Sequence, residues 1–177
     1  MRIFLKIKKY KIGRYLILGR SVNIEKKGFR CGHRVYIGQF SYIGPNTKIG
    51  NFCMLSDGVN IIGHDHRYDI PGVPIILSGR PECEPETIIG DDVWIGHGVT
   101  VIRGIRIGEG SIIAANSVVT KNVPEYTVNA GVPAKVINKR FNDQKDLKVH
   151  KVFLEKIRKN QIEIKKNWLF KGASDNE

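Results

Sequence analysis

Along the middle of the chain aliphatic residues recur every six positions, at Ile37, Ile43, Ile49, Leu55 and Ile61, and again at Ile89, Ile95, Val101, Ile107, Ile113 and Val119. The next residue is commonly Gly or small (Gly38, Gly44, Gly50, Ser56, Gly90, Gly96, Gly108, Ala114). The fifth is small or β-branched, as at Ser41, Thr47, Cys53, Val59, Val93, Val99, Ile105, Ser111 and Ser117. Six is neither the period of a helix nor the alternation of a long strand. It predicts strands of a few residues joined by turns, with the aliphatic residue inward and the glycine taking a positive φ or a tight backbone approach. Three hexads make one triangular coil, and coils stacked about 4.8 Å apart bury one another's faces. The expected fold is an all-β solenoid, a parallel β-helix over residues 31–137.

The two blocks of repeats are out of phase, because the 28 positions from Ile61 to Ile89 are not a multiple of six. Residues 62–87 are rich in Pro, Gly and charge and predict a protruding loop. Residues 1–30 alternate apolar side chains at Ile3, Leu5 and Ile7, carry a second apolar run at 15–18, and read as a basic N-terminal cap without glycine hexads. In residues 138–177, Leu147, Leu154, Ile157, Ile164 and Trp168 recur among Lys and Glu from Asn142 onward, predicting a basic amphipathic C-terminal α-helix that frays over the final GASDNE.

Charge changes this picture only at the ends. The net charge of the 177 residues is +12, but residues 1–30 contribute +9, residues 138–177 contribute +5, and the repeats between them −2. No basic face runs along the solenoid, so no nucleic-acid partner is expected. The basic ends suit peripheral contact with an anionic membrane or glycan. The first twenty residues are broken by Lys and Arg, which excludes an apolar signal core or a membrane span there. Three cysteines without a CxxC fit free thiols, and the expected location is cytoplasmic.

The runs IGQFSYIGPNTKIGNF (37–52), IIGDDVWIGHGVTVIRGIRIGEGSIIAANSVVTKNVP (88–124) and NAGVPAKVI (129–137) are similar to the hexapeptide-repeat acyltransferases, in the branch of galactoside, maltose, virginiamycin and polysaccharide O-acetyltransferases. That resemblance implies a left-handed β-helix, a homotrimer with active sites between subunits, acetyl-CoA as acyl donor with no metal, and a sugar or glycan-precursor hydroxyl as acceptor, as in surface polysaccharide synthesis. An amino sugar is the alternative acceptor.

Acetyl transfer to a hydroxyl needs a base, an oxyanion donor and a slot that aligns both substrates. Histidine suits the base because its ordinary pKa lies near 6.5. In the family the base ends the hexad from which the long loop departs, and counting from Ile61 reaches His66, with His64 the runner-up. Asp65 and Asp69 are candidates to orient the imidazole, and Asp69 also to meet the acceptor. By resemblance His97, Ala115, Thr120 and Lys121 line the coenzyme path, Lys135, Lys139 and Arg140 meet its phosphates, and Trp94 walls the acetyl pocket or packs on a coil face. Asn138 stands where the family often has a basic residue. His33 and His150 read as structural or solvated, and Cys53 as a small core residue. The IGHG at 95–98 also resembles a motif of γ-class carbonic anhydrases, but Ile102 stands where their next zinc histidine falls. A nonenzymatic trimeric scaffold would need neither the histidines at the loop exit nor the GVPAK ending.

Overall fold

The computed structural model describes residues 11–64 and 66–159. Ile3, Leu5, Ile7, Asp65, Ile164, Trp168 and the final GASDNE lie outside them. The described residues fall into two units, a solenoid through Arg140 and a helical segment from Phe141.

The solenoid is a left-handed parallel β-helix of about six coils, opposite in hand to ordinary strand crossovers. Its first face stacks Lys11–Ile12, Arg30–Cys31, Thr47–Ile49, Thr87–Ile89 and Arg106–Ile107. The second stacks Leu16–Leu18, Val35–Ile37, Met54–Leu55, Trp94–Ile95, Ile112–Ile113 and Thr127–Gly131. The third stacks Asn23–Ile24, Tyr42–Ile43, Asn60–Ile62, Thr100–Ile102 and Val118–Val119. A final strand, Ala134–Lys139, folds back antiparallel on Thr127–Gly131 and closes the second face.

All eleven hexad aliphatics are buried, and so are all nine fifth-position residues. Each fully buried Ile, Leu or Val contributes about 1.5–3 kcal/mol from burial, and truncating one such as Ile95 to Ala costs about 2–5 kcal/mol. The expected roles of glycine divide between two positions of the corner. The glycine directly after the aliphatic residue is there for close approach, since a Cβ on Gly38 would stand 2.4 Å from Asp57 N and 2.5 Å from Ser56 C. The positive φ falls two residues later, on Phe40, Asn46, Phe52, Gly58, His64, Asp92, Gly98, Gly104, Gly110 and Asn116.

The ladder begins inside the segment read as a cap. Leu16–Leu18 pairs in register with Val35–Ile37, and Asn23–Ile24 with Tyr42–Ile43, so residues 11–30 form a coil. Ile12, Leu18 and Ile24 keep the six-residue spacing, and Gly13 and Gly19 follow the first two. Seven positions then separate Ile24 from Cys31, and that one-residue slip hides the coil from a strict search.

The insertion leaves the stacking intact. Met54 pairs with Trp94, 40 positions on, whereas Trp94 pairs with Ile112, 18 positions on, so 22 residues are inserted at the corner between the third and first faces. The C-terminal helix is Gln144–Arg158, with the Asp143 side chain accepting a hydrogen bond from Lys145 N and Lys156 and Arg158 in the last turn, the arrangement that caps a helix and complements its dipole. Leu154 is buried and Leu147 and Ile157 half-buried, whereas Val149, Val152 and Phe153 are exposed. No helix among the described residues is long and apolar enough to cross a membrane.

Candidate functional site

The inserted loop leaves the solenoid through His64, which occupies the positive-φ position of a regular corner (φ 54°). His64 is therefore fixed by the coil, while His66 lies two residues out on the loop, and both are exposed. Asp69 accepts from Arg67 Nε at 3.4 Å, an exposed pair. The loop has structure of its own: Arg67 N donates to Gly79 O at 3.1 Å, Ser78 Oγ donates to the carbonyls of Arg67 and Ile75, and Ile75–Leu77 forms a 3₁₀ turn. That turn is apolar and open, with Ile76 85% and Leu77 74% exposed.

The coenzyme candidates occupy two corners. His97 and Ala115 are exposed and lie one above the other where the second face meets the third; Asn116 N donates to His97 O at 2.8 Å. Thr120 and Lys121, also exposed, lie where the third face meets the first, in the same column as Gly63–His64 and Arg103–Gly104. One chain therefore brings Thr120 and Lys121 to the loop's corner but leaves His97 and Ala115 across the third face, about six extended residues or roughly 20 Å away. Trp94 is 46% exposed on the second face, where its Nε1 donates to Ser56 Oγ at 3.3 Å.

Of the basic residues expected near phosphate, Lys135 and Lys139 are exposed on the closing hairpin. Arg140 is engaged within the solenoid: Nη1 donates to Asp92 Oδ2 (2.6 Å), Asp92 O (3.2 Å) and Gly110 O (3.1 Å). A guanidinium held at two corners is a brace within the solenoid.

His33 and His150 pack within the fold, and Cys31 and Cys53 are buried. His33 Nδ1 accepts from Arg14 N at 3.0 Å, and His150, half-buried rather than solvated, lies 5.1 Å from the Phe141 ring centroid. Burial pushes the Cys31 thiol up to about 12 and raises that of Cys53 as well, so neither supplies a thiolate at neutral pH. Cys83 is exposed in the loop. Sequence reasoning missed Arg103 and Glu84, which the fold brings together beneath the loop.

These features define a class, a parallel β-helix of hexapeptide coils with a histidine-bearing loop at one corner. The family described as "Bacterial transferase hexapeptide (six repeats)" matches residues 86–121. A probable macrolide acetyltransferase of Lysinibacillus sphaericus is 43% identical over 120 residues, covering 60% of this chain and 67% of the relative. Among other curated relatives the chain spans about half their length. A maltose O-acetyltransferase from Clostridium difficile 630 superposes with a TM-score of 0.64 at 27% identity, covering 75% of this chain and 71% of that one. A hexapeptide-repeat acetyltransferase from Vibrio cholerae in complex with acetyl coenzyme A superposes at 0.62 and 25% identity, covering 75% and 72%. The chain belongs to the hexapeptide-repeat acyltransferases, an enzyme family.

Proposed function

We propose that the protein transfers an acetyl group from acetyl-CoA to a hydroxyl of a sugar or glycan precursor. His66 takes the hydroxyl proton as the oxygen attacks the thioester carbonyl, a backbone N–H of the coil holds the oxyanion, and collapse forms the acetyl ester as the C–S bond breaks. The proton leaves with the coenzyme thiolate as free thiol. The observation that carries this reading is the loop's departure from a rigid corner with His64 in the turn and His66 immediately beyond it, beside Thr120 and Lys121 in the same corner column.

The active site forms between subunits of a homotrimer. Two observations support this. The base candidates and His97 and Ala115 lie at opposite edges of one face, so a neighbouring copy is needed to bring the two sets together. The exposed Ile75–Leu77 turn also presents the kind of apolar patch that marks an interaction site. Lys135 and Lys139 meet the coenzyme's phosphates, Thr120 and Lys121 line its path, Trp94 borders the acetyl group, and Asp69 faces the acceptor. The enzyme works in the cytoplasm, where the basic ends hold it near anionic glycan precursors or membrane and suit it to surface polysaccharide synthesis.

The test is acetyl-CoA-dependent release of free thiol across a panel of sugars, oligosaccharides and amino sugars. Turnover on hydroxyl-only sugars with an acetyl ester as product is expected. Turnover confined to amino sugars would replace the hydroxyl acceptor with an amine, and thiol release with no acceptor in the panel would remove the sugar assignment.

A further inference from the structure

Beneath the mouth of the loop lies a charge cluster that the chemistry above does not use. Arg103 stands two residues after Val101, at the corner of the coil stacked on the one the loop leaves. Its backbone N–H donates to Ile62 O at 2.8 Å, as the ladder requires, yet the residue is only 6% exposed. Arginine is almost never that buried unless it is paired. The side chain runs back along the corner, where Nη1 donates to Gly63 O at 3.1 Å. Its stem passes Gly44 of the coil beyond, where a Cβ would come within 3.1 Å of Arg103 Cδ.

Across the loop mouth, Nη2 faces Glu84 Oε2 at 3.9 Å. Glu84 belongs to the returning stem: its carbonyl accepts from Asn46 Nδ2 at 3.2 Å, and Lys27 Nζ lies 3.2 Å from its Oε2. Nε and Nη2 of Arg103 are buried without a hydrogen-bond partner, so its charge depends on the Glu84 carboxylate to be tolerated there. The next residue, Gly104, lets both stems settle on the same corner. A Cβ there would stand 2.9 Å from Pro85 Cβ on the returning stem and 3.9 Å from His64 Nε2 on the leaving one.

We propose that Arg103 is a positioning residue: paired with Glu84, it ties the loop's exit at Gly63 to its return at 84–85 and so sets where the loop histidines stand. The catalytic consequence rests on the reading that one of those histidines is the base; the clamp itself does not.

The test uses the full chain with Arg103→Gln, Arg103→Lys, Glu84→Gln and the double variant Arg103→Gln/Glu84→Gln. It reads kcat, the KM for acetyl-CoA, and the rate of tryptic cleavage after Arg67 in the loop. Arg103→Gln should lower kcat on the order of tenfold to a hundredfold, as a misplaced catalytic group does, with KM for acetyl-CoA within about twofold and loop cleavage at least about tenfold faster. Arg103→Lys should recover part of the kcat. The double variant should be no worse than Arg103→Gln, because the two residues act as one unit. Cleavage at the wild-type rate, or losses that multiply in the double variant, would overturn the clamp. Glu84→Gln, on the more open partner, carries the same test if Arg103→Gln does not fold. His66→Ala and His64→Ala separate the two claims: if both stay active while Arg103→Gln still frees the loop, the base assignment fails and the clamp stands.

Discussion

The hexad assigns two different jobs to two corner positions. The residue directly after the aliphatic one passes close to the next coil's backbone, and six of the eleven residues found there in the two main blocks are glycine. The residue two further on must adopt a positive φ, a conformation that Asn46, Asp92 and Asn116 tolerate well and that Phe40 and Phe52 hold only because the coil imposes it. Gly38→Ala is therefore expected to destabilise the protein by about 1–3 kcal/mol, since the contact at 2.4 Å is with backbone nitrogen. A denaturant midpoint equal to wild type would show that the corner can open. The repeat and its inward residues were legible in the sequence because each hexad reports its own burial. The first coil was obscured by one extra residue between Ile24 and Cys31, although Gly13 and Gly19 carried its signal. Arg103, Glu84 and the brace of Arg140 on Asp92 were not legible at all. Whether a charged side chain is buried depends on where distant chain segments pass, and no local period records that.

The inserted loop and the coil that carries it are separable elements. Asn60–Ile62 pairs directly with Thr100–Ile102, and Thr47–Ile49 with Thr87–Ile89, so the ladder continues past the insertion as if it were absent. Replacing residues 65–83 with a short glycine-containing turn, which keeps Glu84 opposite Arg103, should leave the coil folded, with a melting temperature within about 5 °C of wild type, because loop length changes closure entropy only slowly. Acetyl transfer should fall to background. Retained transfer would move the base to the coil itself, and collapse of the fold would show that the loop is a structural part of the solenoid. The sequence revealed where the insertion lies through the loss of phase after Ile61. Its internal order, with Ser78 Oγ donating to the Arg67 and Ile75 carbonyls, was hidden in Pro- and Gly-rich composition that reads only as loop.

In the whole molecule, the net charge of +12 is carried by the two ends of the chain, and residues 11–30, which form the first coil of the solenoid, carry Lys11, Arg14, Arg20, Lys26, Lys27 and Arg30 against Glu25. Sedimentation should give a species of three times the 20.0 kDa chain. At low salt that species should pellet with anionic but not neutral liposomes, an attraction lost as ionic strength rises. A fully active monomer would contradict a site shared between subunits, and a lack of pelleting would leave the basic ends as solvating charge only.

Whether a histidine at the loop exit is the base for acetyl transfer is read from steady-state kinetics of His66→Ala on the acceptor found active in the sugar panel. In His66→Ala, kcat should fall by a factor on the order of 10²–10⁴ while the KM for acetyl-CoA stays within about twofold. An unchanged kcat in both His66→Ala and His64→Ala would contradict a histidine base at the loop exit.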